Sequence, residues 1–235
     1  MNPPVLPVLC VFFPRPLFTF LFSLFTAALC AASPSFSPLQ IGLNSPFHTG
    51  PGGDELQLVS PETAIIGLRL NLPVAFNHDV AGLDIGLFSY ADNFSGIRLN
   101  LGSWTDKTVR GVDVSLWAMM LEGSEFGGIQ IAGLGIAHHV RGIQAGLLTY
   151  GDIRGVQMGL WNTAIDLRGL QLGLANFSDT SRGLQLGIFN SSGTVRGLQL
   201  GLVNYACSLR GLQIGLLNIV PDSSLPVLPL LRASF

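Results

Sequence analysis

One short phrase recurs eleven times along this chain. Each copy begins with a glycine and continues with alternating apolar and polar or small residues, as in GLQLGL at 197–202. The copies start 13 to 17 residues apart, and the last five are spaced by 14 residues. Self-similarity at a fixed short period is typical of an array in which each unit stacks on its neighbours. The repeat glycines are Gly67, Gly82, Gly96, Gly111, Gly128, Gly142, Gly155, Gly169, Gly183, Gly197 and Gly211.

The alternation inside each unit predicts a β-strand. A period of two residues places Leu198, Leu200 and Leu202 on one face of a strand and Gln199 and Gly201 on the other. Because the same pattern recurs in all eleven units, the fold class is predicted to be all-β.

Two architectures accommodate such an array. In a parallel β-solenoid each unit of about 14 residues forms one coil, equivalent positions stack in register, and leucines line the interior. In a transmembrane up-and-down β-barrel each unit is one strand of a meander, with leucine facing lipid and glutamine and glycine facing the lumen. The apolar composition and the terminal Phe235 fit the barrel, which remains the alternative.

The regularity of the units favours the solenoid. Neighbouring strands of a meander run in opposite directions, so their turns should repeat every second unit, and no doubled period is evident. An asparagine follows most of the later strands at a constant offset, which predicts a stacked amide ladder at a turn: Asn162, Asn176, Asn190, Asn204 and Asn218. The third position of the early units predicts a ladder of alternating charges, followed by glutamines: Arg69, Asp84, Arg98, Asp113, Gln130, Gln144, Gln157, Gln171, Gln185, Gln199 and Gln213.

The sequence divides into four segments. Residues 1–32 carry Arg15, a long apolar run and small residues before Ser33, which predicts a signal peptide cleaved after Ala32. An uncleaved membrane anchor and lipidation at Cys30 are the alternatives. Residues 33–64 are a predicted N-terminal cap or first strand region, 65–220 the repeat domain, and 221–235 a C-terminal cap or closing strand. Cys207, the one cysteine beyond this signal segment, is expected to be a small buried apolar residue.

Composition restricts the function classes. Only 11% of the residues are charged, whereas 48% are hydrophobic, so the chain requires heavy burial or a membrane nearby, and membrane association is expected. Lys107 is the sole lysine and the formal charge is −2, which gives no electrostatic reason to bind nucleic acid.

Residue patterns typical of catalysis or of metal sites are missing from the sequence. His138 and His139 are adjacent, so in a strand they point to opposite faces and cannot jointly hold a metal ion. Glu122 and Glu125 lie in the longest spacer and are predicted to be solvated loop residues rather than an acid–base pair. We therefore predict no catalytic residues, no metal and no cofactor, and a glycan-cleaving enzyme is the third hypothesis.

A column of arginines is the candidate binding site. An arginine precedes the glycine of most later units, and stacked coils would align these guanidinium groups along one edge. Such an edge could bind phosphate or carboxylate groups along one extended ligand. The alternative is a solvated turn that is partly neutralised by Asp152, Asp166 and Asp179. The predicted edge consists of Arg141, Arg154, Arg168, Arg182, Arg196 and Arg210.

The segments IIGLRLNLPVAFNHDVAGLDIGLFSY, the run of GLQxGLxN units and the closing LPVLPLL with a terminal phenylalanine resemble a bacterial surface-repeat family. The resemblance covers about residues 39 to 235, and some members of that family are lipoproteins. It implies export and exposure at the cell envelope. The 14-residue unit is also similar, in its period alone, to the coils in the heads of trimeric autotransporter adhesins.

Together these patterns predict a non-enzymatic protein exported to the outer membrane or cell surface of a bacterium, with a structural or adhesion-like binding role. The expected partner is an envelope glycan or another surface macromolecule. The alternative is an outer-membrane barrel that acts as a small pore or as a structural membrane protein.

Overall fold

The computed structural model describes residues 36–43, 58–121 and 123–234, all within the unit Phe36–Phe235. The predicted signal peptide lies outside these residues. Five strands follow one another in a single sheet order: β1 (Phe36–Gly42), β2 (Ala64–Met120), β3 (Glu125–Leu200), β4 (Val203–Ile219) and β5 (Val227–Ser234). Since β2 and β3 are 57 and 76 residues long, each of them winds through several coils.

The coils pair in parallel, one repeat apart. Gly197 of β3 lies beside Gly211 of β4, and Gly111 of β2 lies beside Gly128 of β3. The first strand, β1, is parallel to β2, whereas β5 closes the opposite end by pairing antiparallel with β4. The prediction of an all-β parallel solenoid is confirmed. The barrel alternative is wrong, because consecutive strands of a meander would pair antiparallel.

The first glycine of each repeat allows one coil to lie on the next. Gly183 has a φ of 146°, which side chains of L residues rarely adopt. A Cβ placed on Gly183 would lie 2.0 Å from the carbonyl oxygen of Gly169 in the preceding coil. Close approach of the two backbones therefore explains why a glycine recurs at this position.

The faces of the strands are the reverse of those predicted for the solenoid. Gln171, Gln185 and Gln199 are fully buried, whereas Leu174 and Leu202 expose 53% and 50% of their surface. The expectation that leucines line the interior is therefore wrong. The physical reason is the content of the interior: asparagines that lie five residues after the glutamines and a second, narrower apolar column are also buried, and together these fill a coil of 14 residues.

Two amide ladders run through the interior. Each glutamine from Gln144 to Gln213 donates its side-chain N–H to the side-chain oxygen of the preceding glutamine, at 2.7 to 3.0 Å. The asparagines from Asn162 to Asn204 donate the opposite way, each to the next, at 2.8 to 2.9 Å, and Asn218 is the last acceptor. The predicted asparagine ladder is confirmed. Buried amides that are bonded in this way avoid the cost of unsatisfied polar groups.

The second glycine of the repeat makes room for the asparagine ladder. A Cβ on Gly187 would lie 2.5 Å from the Nδ2 atom of Asn176, and one on Gly201 would lie 2.6 Å from that of Asn190. This Nδ2 group of Asn176 also donates to the carbonyl oxygen of Leu186, at 2.9 Å. The pattern G-L-Q-x-G-L-x-N thus places a small residue where the amide side chain must fit.

Charged side chains replace the amides in the early coils. Arg69 donates to Asp84 at 2.6 Å, and Arg98 donates to Asp113 at 2.9 Å, with all four side chains almost fully buried. Arg98 also lies 4.6 Å from the ring centre of Phe94. The predicted ladder of alternating charges is confirmed, and it lies in the interior.

Burial opposes ionisation of Asp84, but the charge and hydrogen bond of Arg69 outweigh it, so the pKa of Asp84 lies below its ordinary value. Ser89 donates a further hydrogen bond to Asp84, at 2.6 Å. The carboxylate is therefore held ionised inside the coil.

The apolar part of the core is a column of larger side chains two residues before the repeat glycines, interrupted at the buried Ser181, beside a column of mostly small ones. Phe94, Val109 and Phe126 belong to the larger column and are buried together with Ala91 and Ala137. A second cluster at the C-terminal end contains Val195, Ala206, Leu209 and Val220. The interior is thus half amide or ionic and half apolar.

Cys207 is exposed, with its sulfur 3.7 Å from the hydroxyl group of Tyr205, so the expectation of a buried cysteine is wrong. It lies one residue beyond the buried Ala206, on the outward parity of its strand. In the part of the chain that the structure describes, no helix is long and apolar enough to cross a membrane.

Candidate functional site

The predicted arginines lie along one edge of the solenoid. Arg196 and Arg210 are direct partners in the parallel register. The backbones of neighbouring arginines in the column are therefore about 4.8 Å apart. The residue before each arginine points inward, as Leu167, Val195 and Leu209 do, and therefore the arginine points outward. We call the column Arg141, Arg154, Arg168, Arg182, Arg196 and Arg210 the arginine edge.

Acidic residues neutralise the N-terminal part of this edge. Asp166 bonds both Arg168, at 2.9 Å, and Arg182, at 3.1 Å. Arg141 lies 3.8 Å from Glu125, with both side chains more than half exposed. Such exposed ion pairs contribute at most about 1 kcal/mol each, so a stronger anionic ligand can replace them.

A depression of about 250 Å³ lies beside this neutralised part. Its lining carries both signs of charge, and its carboxylates already have partners: Asp152 lies 3.3 Å from a ring nitrogen of His139, and Asp166 bonds Arg168 and Arg182. The depression is therefore a mixed-charge surface rather than an anion pocket. It is lined by Glu125, His139, Val140, Arg141, Asp152, Arg154 and Asp166.

The C-terminal part of the edge is cationic. Residues 180–221 contain Arg182, Arg196 and Arg210 but no aspartate, glutamate or lysine. Among the described residues, Arg196 and Arg210 form no ion pair, and Arg154 forms none either. We call residues 180–221 the cationic stretch. It is the part of the edge best suited to binding an anion.

A second surface was not predicted: the outward side of the leucine columns. It consists of the first, third and fifth residues after each repeat glycine, which in the coil of Gly197 are Leu198, Leu200 and Leu202. In all eleven repeats these positions are aliphatic or methionine, apart from Gly133 and Ala145, and none is polar or charged. Leu216 at the C-terminal end exposes 59% of its surface. We call this surface the aliphatic face.

The remaining sequence candidates do not come together. His138 packs edge-on against Tyr150, with ring centres 6.4 Å apart, whereas His139 lies beside Asp152. Glu122 lies outside the described residues, and Glu125 faces Arg141. Across residues 36–43, 58–121 and 123–234, no three histidine, cysteine or acidic side chains lie close enough to hold a metal ion.

Comparison with protein-family models, with curated proteins and with solved structures found no match to this chain. The surfaces are therefore interpreted from their own geometry.

Sequence reasoning located the arginine edge but not the aliphatic face. The signal that could have revealed this face is the charge column: Arg69, Asp84, Arg98 and Asp113 share the parity of the glutamines, and so do Val109 and Val195. A strand face that carries alternating charges, amides and its own apolar column can fill the interior of a coil. The leucine face of the same strands then lies outside.

Proposed function

We propose that this chain is a non-enzymatic, exported protein of the bacterial cell envelope whose solenoid binds an anionic envelope glycan along the arginine edge. The observation that carries the proposal is the register of Arg196 with Arg210, which repeats a guanidinium group once per coil. A ligand with regularly spaced carboxylate or phosphate groups could contact several arginines at once.

The cationic stretch is the proposed centre of binding. Its three arginines lie on consecutive coils with no acidic residue between them in sequence. Arg182 shares Asp166 with Arg168, whereas Arg196 and Arg210 form no ion pair among the described residues. Arginine binds planar anions through two parallel hydrogen bonds, and its guanidinium is more weakly hydrated than an ammonium group. Single contacts at such an exposed edge are weak, so affinity must come from their repetition along the polymer.

A binding role rather than a catalytic one is supported by how the carboxylates are used. Asp84 and Asp113 are buried against arginines, and Asp166 is shared by two more. These carboxylates are committed to contacts within the fold, whereas acid–base chemistry needs a carboxyl group that can exchange a proton with a substrate. Export is proposed from residues 1–32, which have the composition of a signal peptide.

The test is titration of the purified protein with polygalacturonate as a carboxylated polysaccharide, alongside a neutral glucan. Arg196→Gln and Arg210→Gln, which replace the two arginines of the cationic stretch that form no ion pair among the described residues, are combined in one variant. Because each exposed contact is worth about 0.2–1 kcal/mol, we expect the loss of both arginines to lower the affinity several-fold, up to about thirtyfold. We also expect wild-type affinity to fall with added salt, since exposed charge contacts are screened.

The matched control combines Arg141→Gln and Arg168→Gln, which removes the same charge outside the cationic stretch. It should bind nearly as well as the wild type, because Arg141 and Arg168 already have acidic neighbours. Equal losses in the two variants would indicate a general charge effect. Unchanged affinity in the first variant, or equal binding of the neutral glucan, would refute the proposal.

A further inference from the structure

The aliphatic face is left uncovered by the described chain. Its outer column, formed by the fifth residue after each repeat glycine, is about half exposed, as Leu160, Leu174 and Ile188 show. Its central column, formed by the third residue, is more than one third exposed at Leu186 and Leu200. Eleven coils spaced by about 4.8 Å give a length on the order of 50 Å, and three columns give a width of about 20 Å. The face therefore covers on the order of 1,000 Å².

A face of this size requires a partner. The largest apolar patch on a typical soluble monomer is about 300 to 600 Å², and larger patches mark interaction surfaces. A stable protein interface buries about 800 Å² on each partner. The aliphatic face alone is sufficient for such an interface, because none of its positions carries a polar or charged side chain that would have to be desolvated.

We propose that a second copy of this chain docks on the aliphatic face, forming a two-fold symmetric dimer. The rows of the face repeat with the spacing of the coils, so only a surface with the same spacing can interlock with every row. A second copy supplies that surface, and two sheets packed face to face lie about 10 Å apart with nearly aligned strands. The interface would be isologous, as in most homodimers.

The two long edges of the face determine the direction of the partner. One edge carries the arginines, and the other carries aromatic side chains such as Trp117, Trp161 and Phe189, with Trp161 stacked on Phe177 at 4.6 Å. A two-fold axis across the stack would place the two arginine edges against each other. An axis parallel to the stack places each arginine edge beside the partner's aromatic edge, where cation–π contact is favourable.

This parallel arrangement leaves both arginine edges at the rim of the dimer. It therefore does not depend on their binding an anion. A lipid surface is the less suitable occupant, because the edge beside the face has mixed charge at Glu125, Asp152 and Asp166. Anionic bilayers select surfaces of consistently positive charge.

The first test is the mass of the protein, purified as the cell processes it, measured by light scattering during gel filtration. The wild type should be a dimer. A variant with Leu174→Glu and Leu202→Glu would bury four charges at the interface, so its dissociation constant should rise at least about hundredfold. The control, Ile165→Glu with Ser208→Glu, adds the same charge on the opposite side, where both residues are exposed, and should stay dimeric.

A second test does not depend on how these variants fold. The axis of the parallel dimer runs over the central column, so Leu200 of one copy faces Leu200 of the other. With Cys10, Cys30 and Cys207 replaced by serine, Leu200→Cys should be linked into a covalent dimer by a short bis-maleimide. Ser208→Cys in the same background should not be linked, because it lies on the opposite face.

Two outcomes would overturn the proposal. One is a wild type that remains monomeric without detergent, together with a Leu200→Cys variant that is not cross-linked. The other is a monomer that floats with vesicles of phosphatidylcholine and phosphatidylglycerol, which would assign the aliphatic face to a membrane. Dimeric mass together with the Leu200 cross-link supports the proposal. Dimeric mass without that cross-link would contradict the parallel arrangement.

Discussion

Individual glycines decide whether one coil can lie on the next. Gly183→Ala would place a methyl group 2.0 Å from the backbone oxygen of Gly169 and would force an alanine to a φ of 146°. The nearest atoms all belong to the backbone of Gly169, which cannot move aside as a flexible side chain could. We therefore expect a loss of more than about 3 kcal/mol in the free energy of unfolding, measured with urea.

Gly123→Ala is the matched control. Gly123 also has a positive φ, of 84°, but a Cβ there would contact nothing within 4 Å. We expect it to cost about 1 kcal/mol, from backbone strain alone. If the two alanine variants were equally stable, the close stacking of coils at Gly183 would be wrong.

The buried pair of Arg69 and Asp84 makes stability sensitive to a single charge. Asp84→Asn leaves the guanidinium buried without its counter-charge, which typically costs about 3–5 kcal/mol. The double variant Arg69→Gln with Asp84→Gln replaces the pair by the amides that later coils use, so it should recover most of that loss. Urea unfolding of the three proteins measures both effects, and failure of the double variant to recover would contradict the equivalence of the two ladders.

The same pair predicts a dependence on pH. The pKa of Asp84 in the folded chain lies below its ordinary value, so the carboxylate stabilises the fold fully above the unfolded pKa of about 3.9. That contribution is lost as pH falls through the folded pKa. The double glutamine variant should lose less stability than the wild type between about pH 4 and pH 2, as measured by thermal unfolding. Equal losses in the two proteins would mean that Asp84 contributes nothing to acid sensitivity.

At the level of the element, the coil of 14 residues is the unit that can be added or removed. Deletion of residues 183–196 joins Arg182 to Gly197 and keeps every ladder in register, because Gln171 and Asn176 then meet Gln199 and Asn204. Repeat arrays tolerate such changes, since each unit contacts only its neighbours. We expect the shortened chain to keep its β-sheet circular dichroism and to unfold cooperatively.

Deletion of residues 183–189 removes half a coil and provides the contrast. It would shift the repeat glycines and amides after it by seven positions, so that glutamine would meet unrelated residues and buried amides would lose their partners. We expect this variant to aggregate or remain unfolded. If both deletions behaved alike, the coil would not be the cooperative unit of the fold.

Sequence reasoning predicted the coil correctly but not its inner surface. The period, the strand and the asparagine ladder follow from residues that recur at constant offsets. Stacked coils place corresponding residues side by side, so these residues must have similar side chains. Which strand face is turned toward the interior does not follow in the same way, because both faces carry columns of apolar side chains. Leucines outnumber the inward Val109, Val140 and Val195, and a reading by hydrophobicity alone therefore selects the wrong face.

The arginine edge illustrates the same difference. Its alignment follows from the period, because Arg196 and Arg210 differ by one coil. Its division into a neutralised part and a cationic stretch depends on which acids reach which arginines, and Asp166 bonds two of them while Asp152 contacts His139. Such pairings are set by the corner geometry of each coil, which the spacing of residues does not specify.

At the scale of the whole molecule, the solenoid is amphipathic across its thickness. One side of the coils presents aliphatic side chains alone, and the opposite side presents mixed polar and aromatic ones, with the amide and ionic ladders between them. This arrangement separates three roles that most domains combine. The interior holds the coils in register, the arginine edge offers repeated cations, and the aliphatic face is the proposed docking surface for a second copy of the chain.

The measurement that tests this account most directly is hydrogen exchange of side-chain amide protons by NMR. Glutamines and asparagines bonded in buried ladders should exchange far more slowly than exposed amides, and Gln185 and Asn190 should be among the slowest because they lie amid complete ladders. Exchange of these side chains at the rate of exposed amides would place glutamine outside and leucine inside, and would contradict the structure described here.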